Sequence, residues 1–269
     1  METRAARIGL RLATGFTLVF LYLPLGVIAL YAFNQKRIQT WPISGLTVSW
    51  WTKAFHNTGV REAVLRSVEA ALGATAIALL LGTLAALAVT RYRFFGRETI
   101  SFLVILPIAL PGIVTGMALN ATFRTVFEPF GVGFGIFTII VGHATFCIVV
   151  MYNNVLARLR RASGSIEEAS MDLGADTWQT FRYITLPLTR TALLAGGLLA
   201  FALSFDEVIV TTVTAGPVQT VPLWILQNLS RPNQLPIVNV VAVSLVLLSA
   251  IPVYIASRLA QESGILRRR

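Results

Sequence analysis

Charge is what this chain of 269 residues most lacks. Only 13% of its residues are Asp, Glu, Lys or Arg, about half the share of a soluble globular domain. So few charges cannot cover a water-facing surface, and the 55% of hydrophobic residues must face something else, of which lipid is the obvious choice. Cysteine occurs once, as Cys147. That excludes an internal disulfide and a disulfide scaffold, and it leaves the redox compartment unreadable. The same composition excludes a disordered chain and a coiled coil. Negative charge is the scarcer sign, with 12 acids against 22 basic residues. The surplus of +10 would suit nucleic acid if the basic residues formed one patch, but they flank apolar runs instead.

What the chain does contain is six apolar stretches long enough to cross a bilayer, which takes about 20 residues at a rise of about 1.5 Å each. They cover residues 12–33, 68–90, 100–123, 135–155, 192–213 and 237–257, and predict an all-α polytopic membrane protein, a single permease-like domain over 1–269. The first stretch follows Arg4, Arg7 and Arg11, but its apolar run exceeds a signal-peptide core and lacks a convincing cleavage site, so it reads as a retained helix. With both termini inside, 15 of the 22 basic residues lie on the cytoplasmic side, including Arg91, Arg93, Arg97, Arg158, Arg160, Arg161 and the C-terminal arginines. That bias predicts an N-in, C-in topology.

Several features stand out along these spans and between them. The external segment 34–67 holds Trp41, Trp50 and Trp51, which suits a short amphipathic helix at the membrane interface, either as an anchor or as a ligand contact. The third span carries Pro107, Pro111, Gly112 and Gly116. Proline removes a backbone donor and kinks a helix, so this span can serve as a gate or simply carry a kink. Asp206 and Glu207 fall inside the fifth predicted span, where an ionised acid costs about 2.5–3.5 kcal/mol on insertion scales and needs a cavity or a partner. An organic cation in the pathway would be such a partner. Pairing near the water boundary is the alternative. His143 and Cys147 lie four apart on one face of the fourth span and read as packing or an interhelical hydrogen bond, because no further metal ligands converge on them. Glu128 reads as a solvated loop acid.

The loop at about 156–191 is long for this chain. Ser165 and Glu168 have the spacing of a capping box that would open a helix, and Gly174 suits the left-handed position just past its end. Asp176 with Gln179 can cap a second helix, which Leu186 and Pro187 would end. Met171, Leu173, Trp178 and Phe181 give this elbow apolar contact area. From these residues alone it is either a docking surface or an amphipathic hairpin packed on the bundle.

Glu168-Ala169-Ser170, then Gly174, Ile184 and Leu186-Pro187, resemble the EAA signature of ABC-importer permeases. Only Ser170 departs from the pattern, by a similarly small residue. The segments His143–Cys147, Asn153-Asn154 and Leu203–Thr211 are similar to the second permease of the spermidine/putrescine type. The resemblance implies a type I importer fold, a bacterial inner-membrane location, a homologous second permease, an ABC ATPase dimer and an external or periplasmic binding protein. By position, Glu168, Ala169, Ser170, Gly174, Ile184, Leu186 and Pro187 would couple to the ATPase, and Asp206 and Glu207 would line the substrate pathway. The chain has no G-x-x-x-x-G-K-[ST] phosphate loop, so ATP and Mg would sit in the partner and the chain would itself be no enzyme. One departure weakens the substrate reading. Polyamine permeases often carry an acid near the proline-rich break, and none stands between Glu98 and Glu128 here. Another small amine, an amino-acid derivative or an opine-like solute stays open as cargo. An ion-coupled transporter would show repeats and more spans, and an enzyme would need a convergent catalytic set that two histidines and scattered acids do not supply.

Overall fold

The computed structural model describes residues 4–162 and 164–265. The terminal arginines Arg267, Arg268 and Arg269, counted in the charge bias, lie outside them. Among the described residues the only β pairing is one isolated bridge, Asn34 with Leu46. Five helices are long and apolar enough to cross a membrane, Ala6–Tyr31, Thr58–Arg91, Ile136–Arg161, Thr177–Phe205 and Leu235–Arg258. The bent pair Arg97–Ala109 and Gly112–Phe130 makes a sixth if taken as one span. The chain divides into two compact units, each described by itself: one runs to Arg61 and includes Trp224–Leu247, the other comprises Glu62–Leu223 and the chain from Leu248 onward.

The first unit is built on α1 (Arg4–Tyr31) and α2 (Ser49–His56), with the start of α3 (Thr58–Arg91) and part of α12 (Leu235–Ile265). The most apolar window of α1 is 0% buried. An apolar helix exposed over so much of its length is stable where its solvent is hydrocarbon. The short helix expected within 34–67 is α2. Its tryptophans divide the labour: Trp50 is buried and donates Nε1–H to the Asn34 carbonyl at 2.9 Å, while the Trp51 ring lies tilted, 5.3 Å from that of Phe33.

In the second unit α6 (Ile136–Arg161) is the central element. Ile139, His143, Cys147, Met151, Tyr152, Val155 and Leu159 are all buried along it, and their spacings of three and four residues put them on adjoining faces. Opposite them α3 presents Ala70, Ala71, Ala74, Ala78 and Ala86, each fully buried. Small residues let membrane helices approach closely. At Gly82 the approach is so close that a Cβ would lie 2.9 Å from the Ile148 carbonyl oxygen.

The third span is broken rather than kinked. Helix α4 (Arg97–Ala109) ends, Leu110 is extended, and α5 (Gly112–Thr122) starts after Pro111 at an angle of 106°. Pro111 lacks an N–H for the ladder and forces Leu110 out of the helical region, so two adjacent residues re-aim the chain.

The fifth span corrects the reading in two respects. Its helix begins at Thr177, well before residue 192, and it does not stop at Leu186-Pro187. Helix α8 (Thr177–Thr180) passes through a π-helical turn, Phe181–Thr185, directly into α9 (Leu186–Phe205). The Leu186 N–H bonds to the Phe181 carbonyl, one residue farther back than in an α-helix. That wider turn makes room for the Pro187 ring, which would otherwise meet the preceding turn. The helix then ends at Phe205, and a short α10 (Ile209–Thr214) follows after a break. Asp206 and Glu207 therefore sit at an interruption, not inside a helix.

Candidate functional site

The elbow begins with α7 (Ser165–Asp172). The capping box expected from Ser165 and Glu168 does not form. Gly164 is already helical, at φ −64° and ψ −19°, so Ser165 lies within the first turn, and the Gly164 carbonyl accepts from the Glu167 and Glu168 amides at 3.0 and 3.1 Å. The far end behaves as the spacing predicts. Gly174 has φ +91°, its N–H bonds to the Met171 carbonyl at 2.9 Å, and Ala175 N–H bonds to the Ser170 carbonyl at 3.1 Å. These two bonds satisfy the carbonyls a helix end leaves free. Asp176 Oδ1 then accepts from Gln179 N–H at 2.8 Å while Gln179 Oε1 accepts from Asp176 N–H at 3.0 Å, the reciprocal box that opens α8.

The signature residues occupy two faces of this elbow. Glu168, Ala169 and Gly174 are exposed, as are Leu186 and Pro187, and Ile184 is half-buried. Ser170 faces inward and its hydroxyl lies 3.2 Å from that of Thr180, so the one departure from the signature links α7 to α8. Ser170→Ala should cost the elbow about 1 kcal/mol, the net worth of one neutral hydrogen bond, visible as a small drop in thermal inactivation midpoint with transport near wild type. Of the apolar residues expected to offer contact area, Met171, Leu173 and Trp178 are exposed, Leu173 by 90%, and Phe181 is half-buried, while Ile166 and Tyr183 add exposed apolar surface beside them.

Sequence reasoning gives Glu167 no role. The structure buries it to 8% exposure. Arg91, the last residue of α3, places Nε 2.6 Å from Glu167 Oε2 and donates Nη2–H to Oε1 at 3.1 Å. The Thr185 hydroxyl donates to the same Oε1 at 2.8 Å. The signal was present in the spacing. Glu167 and Ser170 stand three apart, hence on one face of a helix, and a small inward Ser170 puts Glu167 inward and Glu168 outward.

At the break in the fifth span, Asp206 caps the end of α9 and is exposed. Glu207 is half-buried, and its Oε1 accepts from Val210 N–H at 2.9 Å, which caps α10. His143 of α6 spans the break. Its Nδ1 lies 2.8 Å from Ser204 Oγ on α9 and its Nε2 lies 2.8 Å from Thr211 Oγ1 on α10. Because Thr211 already donates to the Glu207 carbonyl at 2.9 Å, its oxygen is left to accept from Nε2–H, and Ser204 then donates to Nδ1. Cys147, one turn along, bonds the Ala200 carbonyl at 3.3 Å. Both residues thus serve packing and interhelical bonding, as their spacing suggests. Among the described residues no three His, Cys, Asp or Glu are grouped to hold a metal.

A cavity of about 640 Å³ opens between α5 and α10, lined by Asn120, Arg124, Phe134 and Thr212 among others. Arg124 Nε–H bonds Asn120 Oδ1 at 3.1 Å and its guanidinium lies 5.5 Å from the Phe134 ring centre. Asn120 in turn donates to the Val213 carbonyl. Asp206 and Glu207 are not among its lining residues, so the cavity and the acid pair are separate features.

A span broken at Pro111-Gly112, a second interrupted span and an elbow joined directly to it define the fold of an ABC-importer transmembrane subunit. The structure superposes on a chain of a bacterial ABC transporter involved in the import of the acidic polysaccharide alginate with a TM-score of 0.68, at 19% identity over 97% of this chain and 98% of that one. The chain belongs to the family described as binding-protein-dependent transport system inner membrane component, matched over residues 78–262. It is 34% identical over 236 residues to the putrescine transport system permease protein PotI of Escherichia coli (strain K12), covering 86% of this chain and 82% of that one. It is 30% identical over 247 residues to the spermidine/putrescine transport system permease protein PotC of Haemophilus influenzae, covering 91% and 93%.

Proposed function

We propose that this chain is a permease subunit of an ATP-driven importer that moves a small organic cation of the polyamine class to the cytoplasm. The observation that carries the reading is the elbow: a rigidly capped, apolar, exposed pair of short helices whose second member is the start of a membrane-spanning helix. Such a surface can receive a push from a soluble partner and pass it into the span without an intervening loop. The partner would be an ATPase dimer that holds ATP and Mg, with both termini of this chain on its side of the membrane, and the receiving residues would be Glu168, Ala169, Ser170, Gly174, Ile184, Leu186 and Pro187. A homologous second permease and an external substrate-binding protein complete the assembly, and residues 1–269 act as one permease domain. The polyamine assignment draws support from the names of PotI and PotC. Asp206, exposed at an interruption within the membrane-spanning region, is the residue suited to meet the cation, since a carboxylate there is stabilised by an opposite charge. Glu207 assists by holding the turn.

The test is reconstitution of the whole importer in vesicles, with ATP hydrolysis and uptake measured for putrescine and spermidine. Both amines should stimulate hydrolysis when the binding protein is present. Asp206→Asn should assemble normally and lower uptake at limiting putrescine by about five-fold, the size of one partly exposed charge interaction. Unchanged uptake would remove Asp206 from the pathway, and ATP-driven uptake without any ATPase subunit would overturn the whole reading. A second reading, an amino-acid derivative or opine-like cargo, is favoured by Arg124 at the cavity, because a guanidinium there repels a polycation and attracts a carboxylate. Stimulation by such a zwitterion and not by putrescine would select it.

A further inference from the structure

Glu167 gathers three separate helices on one carboxylate. Arg91 is the final residue of α3 and Glu167 lies in the first turn of α7, so a cation at a helix C-terminus meets an anion at a helix N-terminus, the favourable placement for both helix dipoles. The third member, Thr185, is the last residue of the π-helical turn and is 5% exposed. It stands immediately before Leu186-Pro187, where α9 takes over. Glu167 as a whole is 8% exposed, and a buried acid of this kind is retained only where it is paired and hydrogen-bonded.

We propose that Glu167 is the positioning residue that ties the elbow to two spans at once, to the second through Arg91 and to the fifth through Thr185. The inference rests on the elbow being the surface that receives the ATPase. The fifth span is joined to the elbow by its own backbone. The second span, α3, ends at Arg91, and in the chain 73 residues separate it from α7, so the ion pair is the tie that makes α3 follow α7. A displacement of α7 then moves two spans together, which a permease needs if a pathway bounded by several helices is to open in one step. Glu168, one residue on and exposed, faces outward to the partner, while Glu167 faces inward to the spans. The two adjacent acids thus divide receiving from transmitting.

Thr185→Val is the decisive variant, because it removes only a hydroxyl from a buried site and keeps the ion pair. It is to be made in the complete importer, reconstituted with both permeases, the ATPase dimer and the binding protein, with putrescine as the transported probe. Assembly is read by co-purification, and coupling by putrescine taken up per ATP hydrolysed. Thr185→Val and Glu167→Gln should each assemble, continue to hydrolyse ATP, and lose coupling by about ten-fold, the equivalent of one hydrogen bond to a charged group. Thr185→Ser, which keeps the donor, should retain most of it. Should Glu167→Gln fail to assemble, Thr185→Val decides alone. An assembled Thr185→Val importer with wild-type coupling would overturn the proposal, as would a loss of uptake that only mirrors lost assembly. A wild-type assembly whose ATPase never responds to binding protein and putrescine would instead sink the proposed function.

Discussion

Gly174→Val should abolish transport while leaving the helices of the bundle in place. The substituted side chain would meet no steric obstacle, since nothing lies within 4 Å of a Cβ built at Gly174. The penalty is in the backbone. At φ +91° an L-residue is strained by about 1–2 kcal/mol, and a β-branched one is a severe outlier. The chain can relieve that strain only by leaving the left-handed region. Doing so breaks the bonds from Gly174 and Ala175 to the Met171 and Ser170 carbonyls, and with them the angle between α7 and α8. Leu173 and Trp178, which lie on either side of the turn and are 90% and 65% exposed, would then no longer present one surface. Uptake by the reconstituted importer should fall by more than about ten-fold, the cost of about 1.4 kcal/mol or more in docking. Gly174→Asn should retain most activity, because asparagine tolerates this conformation. Equal activity in the valine and asparagine variants would mean that the turn geometry does not matter.

His143→Leu should be the most damaging change within the spans. Leucine fills most of the space but offers no partner to the hydroxyls of Ser204 and Thr211, both buried to 2% exposure or less. Interhelical hydrogen bonds in membrane bundles are individually modest, so losing two is worth about 1–3 kcal/mol. The effect on function should exceed the effect on stability, because the ring joins the two sides of the interruption that presents Asp206. A lowered unfolding midpoint in detergent together with a rise in the substrate concentration for half-maximal uptake is the expected pair of results. His143→Gln, able to donate and accept, should recover part of both. A variant that loses stability alone would show that the imidazole only packs.

How much of this was legible depends on what each signal measures. Hydropathy finds apolar runs, and each of its six stretches overlaps one of the five long helices or the bent pair, although the fifth begins and ends earlier than its apolar run. It is blind to a helix that leaves the apolar run and continues through polar residues, so Thr177–Thr185 read as a short separate helix of the elbow when it is the beginning of the fifth span. Local rules about proline had the same limit. At Pro111 they succeeded, because Gly112 follows and no neighbouring turn adjusts. At Pro187 they failed, because the π-helical turn before it absorbs the ring. Capping succeeded at Asp176, which has its own extended conformation, and failed at Ser165, where helical Gly164 shifted the start by one residue. The spacing to Ser170 could turn Glu167 inward, but its pairing with Arg91 could not be read, since charges 76 residues apart become neighbours only through packing.

The unbroken run from Thr177 to Phe205 also sets a mechanical scale. At about 1.5 Å per residue, 29 residues make a rod of about 43 Å, and a tilt of about 5° about its elbow end would swing the Phe205 end by about 4 Å. That is roughly the thickness of an alkyl chain. On the proposed function, an ATPase that turned the elbow end by about 5° would open, at the far end where Asp206 stands, a gap on the scale of a linear amine. The motion asked of such a partner would be small, and stiffness along the rod, rather than force at its base, would decide whether it arrives.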